Sequence, residues 1–123
     1  MLYFYHKDDT PGCTTEACNF RNDYSKYDQA GVDVLGISPD TSQKHTKFIE
    51  KYQLPFTLLA DNDHKVCELY GVWGRKKFMG REYDGVFRTT FLINKDGVVK
   101  KVFINVKPDV HSAEVLKHIA MNS

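Results

Sequence analysis

No run of apolar residues in this sequence approaches the roughly 18 needed to span a bilayer, and no signal-peptide core precedes the first charged residue. The expected address is the cytosol, with no membrane as partner. Charge of one sign is missing as well: 17 Lys and Arg face 16 Asp and Glu, spread along the chain for a net +1. No basic stripe is left over to neutralise phosphates, so nucleic acid is not an expected partner either. Cysteine is scarce and odd in number, three in 123 residues. Without a secretion signal that argues against a disulfide framework and for a reactive or metal-binding thiol. Internal repeats, low-complexity tracts and linker-like stretches are absent. With 41% hydrophobic residues, the chain is long enough for one core and short for two, and reads as one domain over residues 1–123.

What is present is an alternation of short apolar runs and helical patterns. Leu2 to Tyr5 is a non-alternating apolar run that suits a strand covered on both faces. From Thr14 to about Gln29 the spacing of Ala17, Phe20, Tyr24 and Tyr27 predicts an amphipathic helix stopped by Gly31. Val32 to Ser38 reads as a buried strand. A helix carrying Phe48, Ile49 and Tyr52 follows, with Asp40, Thr41 and Ser42 as alternative caps, and it ends before Leu54-Pro55. Phe56 to Asp61 predicts a strand, His64 to Tyr70 a short helix, and Gly71 to Gly85, with four glycines, a long loop. An Asp-Gly turn joins Arg88–Asn94 to Val98–Asn105 as a β-hairpin. Pro108 to Asn122 predicts a terminal helix capped by Asp109 or Ser112. The order β-α-β-α-β-α-β-β-α implies an α/β fold of the thioredoxin-like kind: a mixed central sheet with parallel crossovers and one antiparallel hairpin, flanked by helices.

Sheets of this class place their chemistry beyond the carboxyl ends of the parallel strands. Cys13 falls there, after the first strand and at the start of the first helix. The helix dipole and free backbone N–H groups at that position favour a thiolate. Thr10 and a Pro11-Gly12 turn come just before, so a hydroxyl and amides are available to whatever the sulfur attacks. Taken alone, Cys13 is also compatible with a small residue in a tight turn, Thr10 with an ordinary cap, Arg88 with a solvated strand-start residue, and Cys18 with a core position. Cys67, in the short helix, reads as buried and structural. The five histidines, His6, His45, His64, His111 and His118, lie on different elements. No pair has a spacing that joins the cysteines in a metal site, and no metal or organic cofactor is expected.

The segment YFYHKDDTPGCTTEACNFR, with VDVLGISPD, FTLLAD and YGVWGRKKFMGREYDGVFRTTFLINKDG after it, resembles the peroxiredoxins, in particular the peroxiredoxin Q or bacterioferritin comigratory protein branch, over nearly the whole chain. The resemblance implies a thiol peroxidase in which Cys13 is the peroxidatic cysteine, Thr10 orients the peroxide, Arg88 supports the thiolate and the reacting oxygens, and Cys18 is the resolving cysteine. It implies hydrogen peroxide or an organic hydroperoxide as substrate, thioredoxin or a similar thiol as reductant, and a monomer. The chemistry is attack of the thiolate on one peroxide oxygen to give a sulfenic acid.

Five residues along an ideal helix separate two Cα atoms by nearly 9 Å, roughly 7.5 Å of it rise, beyond the reach of a disulfide. A Cys13–Cys18 bond therefore requires the start of the helix to unwind. Two departures from the family pattern stand out. His6 occupies the place of a proline four residues before the threonine, giving up a fixed φ and adding a titratable ring. The family's opening N-terminal β-hairpin is also lacking, from which exposed sheet surface and lower stability are expected. Both favour, as the alternative, a weakly active or non-catalytic redox-sensing or chaperone-like protein of the same fold. A disulfide oxidoreductase is disfavoured, because that chemistry uses Cys-x-x-Cys.

Overall fold

In the first strand, β1 (Leu2–Phe4), every residue is buried. A computed structural model, which describes residues 1–122, shows why. β1 is the middle strand of a five-stranded sheet ordered β3-β2-β1-β6-β7. It runs parallel to β2 (Leu35–Ser38) and antiparallel to β6 (Thr89–Ile93). β3 (Thr57–Ala60) extends the parallel half, and β7 (Val99–Phe103) pairs antiparallel with β6. The alternation of a strand then sorts its side chains. Tyr3 and Tyr5 join Phe20, Tyr27, Phe48, Leu58, Phe103 and Val115 in a core on one face. Leu2 and Phe4 join Ile37, Cys67, Val72, Val86 and Phe91 on the other. Gly36 is required where it stands: a Cβ there would lie 2.7 Å from Leu58 and 2.8 Å from Tyr3.

The first face is covered by α1 (Pro11–Asn22), α2 (Tyr24–Gln29), α3 (Ser42–Tyr52) and α5 (His111–Met121). The second carries the short α4 (Lys65–Leu69). This is the thioredoxin-like mixed sheet flanked by helices that the element order implies. No described helix is long and apolar enough to cross a membrane.

Four local expectations need correction. The segment from Gly71 to Gly85 is a β-hairpin, β4 (Trp73–Phe78) and β5 (Arg81–Val86), and forms a second, two-stranded sheet. Met79 and Gly80 supply the two positive φ angles, 52° and 79°, that a tight two-residue turn needs, and Gly74 pairs with Gly85 across the ladder. The long helix starts at Pro11, so the Pro-Gly pair is its first turn and not a turn before it. That helix also breaks at Asp23, whose carboxylate accepts a hydrogen bond from Ser112 at 2.7 Å. Neither Asp109 nor Ser112 caps α5; Val110 stands at that position, because the Ser112 hydroxyl is spent on Asp23. Of the caps open to α3, Thr41 is the one used, accepting from the Lys44 amide at 3.2 Å.

Candidate active site

The site forms at the start of α1, because three local features of the sequence meet there. Thr10 is extended (φ −91°, ψ 154°), Pro11 fits the first helical position, and the first intrahelical bond runs from the Thr14 amide to the Thr10 carbonyl at 2.8 Å. The Thr10 hydroxyl does not cap the helix; it donates to the Lys7 carbonyl at 2.8 Å. The amides of Gly12 and Cys13 therefore keep no acceptor within the helix, and the lone pairs of Thr10 Oγ1 are left to accept.

Cys13 is 1% exposed, with its sulfur held between two side chains from separate parts of the chain, His6 and Arg88. Arg88, between β5 and β6, brings Nη2 to 3.1 Å from Cys13 Sγ and to 3.2 Å from His6 Nδ1, while Nη1 donates to Glu16 Oε1 at 3.2 Å. His6 Nδ1 is itself 3.4 Å from the sulfur. The two hydrogens on Nη2 serve the sulfur and the imidazole nitrogen, so one planar guanidinium ties Cys13, His6 and Glu16 together. Gly12 makes this approach possible: a Cβ on it would come within 2.9 Å of Arg88 Nη2. The glycine is needed for space.

Electrostatics follow from this packing. Burial, followed by the charges of Arg88 and Lys76, pushes the His6 pKa down to about 4. The ring is thus neutral near pH 7, and since Arg88 donates to Nδ1, its proton sits on Nε2. Glu16 is 1% exposed, and burial pushes its carboxyl up to about 8 against the pull of Arg88. Near neutrality Glu16 accepts from Arg88 without cancelling its charge. Peroxide reduction is expected to lose roughly fivefold in rate as pH rises through about 8, because ionised Glu16 then offsets the guanidinium charge felt at the sulfur. Glu16→Gln keeps the acceptor oxygen and is expected to remove that falling limb. A pH–rate profile in which the glutamine variant keeps it contradicts the assignment.

A second buried network holds the loop that carries His6. His45 on α3 contacts Asp8 Oδ2 through Nδ1 at 2.6 Å and the Leu59 carbonyl through Nε2 at 3.0 Å. Burial opposes a charge on this ring, but the hydrogen bond and charge of Asp8 override it and raise its pKa. With both nitrogens donating, His45 and Asp8 form a buried ion pair. Tyr5 donates to the other Asp8 oxygen at 2.5 Å, and the Asp8 amide donates to Asp40 at 2.9 Å, where Ser38 also donates at 2.6 Å. Asp8, Asp40 and His45 offer ligand-type atoms within 4.8 Å of one another, all engaged in these bonds.

Thr10, Cys13 and Arg88, picked from sequence, thus share one helix terminus. Cys18 lies on the same helix, half-buried, and all three cysteines are free. Cys67 is fully buried, accepts no part in this site, and has its thiol pushed up to about 12 by burial and by Asp61. Trp73 stacks on His64 at 4.0 Å and does not line the Cys13 site. Sequence reasoning missed Glu16 and the His45–Asp8 pair. Glu16 had a signal, three residues after Cys13 and so on the same helical face.

The AhpC/TSA family model matches residues 1–102. The chain belongs to the AhpC/TSA family. Among curated members, it is 52% identical over 116 residues to Peroxiredoxin Bcp of Escherichia coli strain K12, covering 94% of this chain and 74% of that protein. It is 50% identical over 117 residues to Peroxiredoxin Bcp of Bacillus subtilis strain 168, covering 95% and 74%. Of solved structures, a Xanthomonas campestris bacterioferritin comigratory protein, studied for its alkyl peroxide reduction activity, superposes with a TM-score of 0.91 at 35% identity, covering 98% of this chain and 77% of that one. This peroxiredoxin is accordingly an enzyme, a peroxidase among the oxidoreductases.

Proposed function

We propose that this peroxiredoxin reduces hydrogen peroxide and organic hydroperoxides by a two-cysteine cycle within one chain, acting as a monomer and recycled by thioredoxin. The Cys13 thiolate attacks the nearer peroxide oxygen; the O–O bond breaks, sulfur is oxidised to a sulfenic acid, and the departing oxygen leaves as water or an alcohol after taking up a proton. Thr10 Oγ1, its hydrogen committed to the Lys7 carbonyl, accepts from the peroxide O–H and sets the oxygen in line with the sulfur. Arg88 Nη2 and the amides of Gly12 and Cys13 stabilise the negative charge on sulfur and on the departing oxygen. The Cys18 thiol then attacks the sulfenic sulfur, water leaves, and a disulfide forms that an external dithiol reduces.

The observation that carries this reading is the 3.1 Å contact of the Arg88 fork with Cys13 Sγ at an uncapped helix N-terminus. Its test is peroxide-dependent oxidation of thioredoxin, followed with hydrogen peroxide and with cumene hydroperoxide. Turnover with both is expected. Insulin disulfide reduction in place of peroxide turnover would assign a disulfide oxidoreductase. Neither activity would assign the non-catalytic sensor.

A further inference from the structure

Beside the loop that carries His6 lies a groove of about 230 Å³, lined by Lys7, Asp8, Asp9, Lys44, Lys47, Phe48 and Lys51. Its floor is apolar, since Phe48 is buried in the core, and its rim is cationic. Lys44, Lys47 and Lys51 follow one another at spacings of three and four along α3, which puts them on one helical face. Lys7 reaches the same groove from the active-site loop.

The carboxylates present there are already committed. Asp8 is paired with His45, and Asp9 accepts from Lys51 at 2.8 Å and from Tyr52 at 2.9 Å. Lys7, Lys44 and Lys47 have no carboxylate within ion-pair distance among the described residues. Three uncompensated cations thus gather in one groove of a chain whose net charge is only +1.

The groove also has a defined relation to the chemistry. Lys7 follows His6, whose ring is 3.4 Å from Cys13 Sγ, and Asp9 precedes Thr10 at the start of α1. Asp9 is held with a positive φ of 60° while bound to α3, so loop and groove share one anchored backbone. Lys7 and Asp9 thus sit on the same short loop as His6 and Thr10, and place the groove beside the segment that carries Cys13.

We infer that the Lys7, Lys44, Lys47 and Lys51 groove is the docking surface for an acidic protein dithiol, steering its carboxylates across α3 while its thiolate reaches the disulfide. This rests on the two-cysteine cycle proposed above. In the step served, the dithiol's thiolate attacks one sulfur of the disulfide to give a mixed disulfide. Its second thiol then attacks that bond, so the partner is oxidised as the peroxiredoxin regains two thiols. Complementary charge at such a contact acts mainly on the association rate, with a steep dependence on salt.

The test separates the two half-reactions. The protein is oxidised with diamide, so that the reductive step is read without peroxide, and is then reduced either by an acidic thioredoxin or by uncharged dithiothreitol. In Lys44→Glu/Lys47→Glu, at exposed helix positions, the thioredoxin rate is expected to fall by about tenfold or more at low ionic strength and to lose its decline with added salt. Reduction by dithiothreitol and oxidation by hydrogen peroxide stay unchanged, which also shows that the variant is folded. Lys44→Ala/Lys47→Ala is expected to fall between the two. An unchanged thioredoxin rate with the same salt dependence overturns the inference, as does a wild-type disulfide that thioredoxin reduces no faster than dithiothreitol. Slower oxidation by a fatty-acid hydroperoxide, with the thioredoxin rate intact, overturns it in favour of a subsite for the carboxylate of an anionic substrate. Failure of the cycle itself would show separately, as absence of a disulfide after hydrogen peroxide.

Discussion

Arg88→Lys is expected to lower the rate constant for oxidation by hydrogen peroxide by about 10²-fold or more, the scale of losing one preorganised donor at a developing oxyanion, while leaving the fold intact. The substitution keeps the positive charge, which is why it is informative. Arginine meets three partners at once through a planar fork: the sulfur at 3.1 Å, His6 at 3.2 Å and Glu16 at 3.2 Å. A lysine ammonium is a point charge on a flexible stem and cannot hold all three in one plane. Gly12 leaves the room for the guanidinium, since a Cβ there would come within 2.9 Å of Nη2. Stopped-flow oxidation of the reduced variant measures the effect. A loss smaller than about threefold would mean that net charge alone matters and that the fork geometry adds nothing.

The other large effect is structural. If Cys18 attacks oxidised Cys13, the helix that presents both sulfurs cannot persist, because the two lie five residues apart within α1 and an ideal helix holds such Cα atoms nearly 9 Å apart. The Thr10 hydroxyl is engaged with Lys7 and provides no cap, so the first turn is the weakest part of α1. Further along, Ala17 and Phe20 are buried in the core, and the melting is expected to stop near them. Hydrogen exchange compared between reduced and oxidised protein should show residues 14–20 losing most of their protection on oxidation, with α3 and the central sheet unchanged. Equal protection over those residues in both states, with the disulfide confirmed by mass, contradicts a Cys13–Cys18 bond made by unwinding.

How much of this was legible in sequence depends on where each signal lies. The core strand β1, the helix after Cys13 and the β6–β7 hairpin announce themselves through apolar runs and an Asp-Gly turn. The β4–β5 hairpin does not, because most of its residues face solvent and the alternation that marks a half-buried strand is absent. Its Met79-Gly80 turn also lacks the usual Asn-Gly or Asp-Gly signature. The break at Asp23 and the start of α5 at His111 are settled by one contact between residues 89 apart, Ser112 with Asp23, which no local pattern encodes. The roles of Thr10 and Arg88 rest on the resemblance, and that of Cys13 also on its place at the start of the first helix, but the reason Gly12 follows Pro11 lies in the path of Arg88 across it, 76 residues later in the chain. Glu16 lies on the helical face of Cys13, but an acid is usually exposed, and His45 reads only as one of five histidines scattered over different elements. Only the tertiary structure shows both buried against charged partners.

Cys13 as the sulfur that peroxide oxidises, and Cys18 as the one that resolves it, are both put at risk by mixing the reduced protein with hydrogen peroxide in a stopped-flow fluorimeter, beside Cys13→Ser and Cys18→Ser, and weighing the products. A rapid phase that Cys13→Ser abolishes, with an intramolecular disulfide in the unaltered chain and a sulfenic acid in Cys18→Ser, is the predicted result. Oxidation as slow as that of a free thiol and unchanged in Cys13→Ser would contradict it.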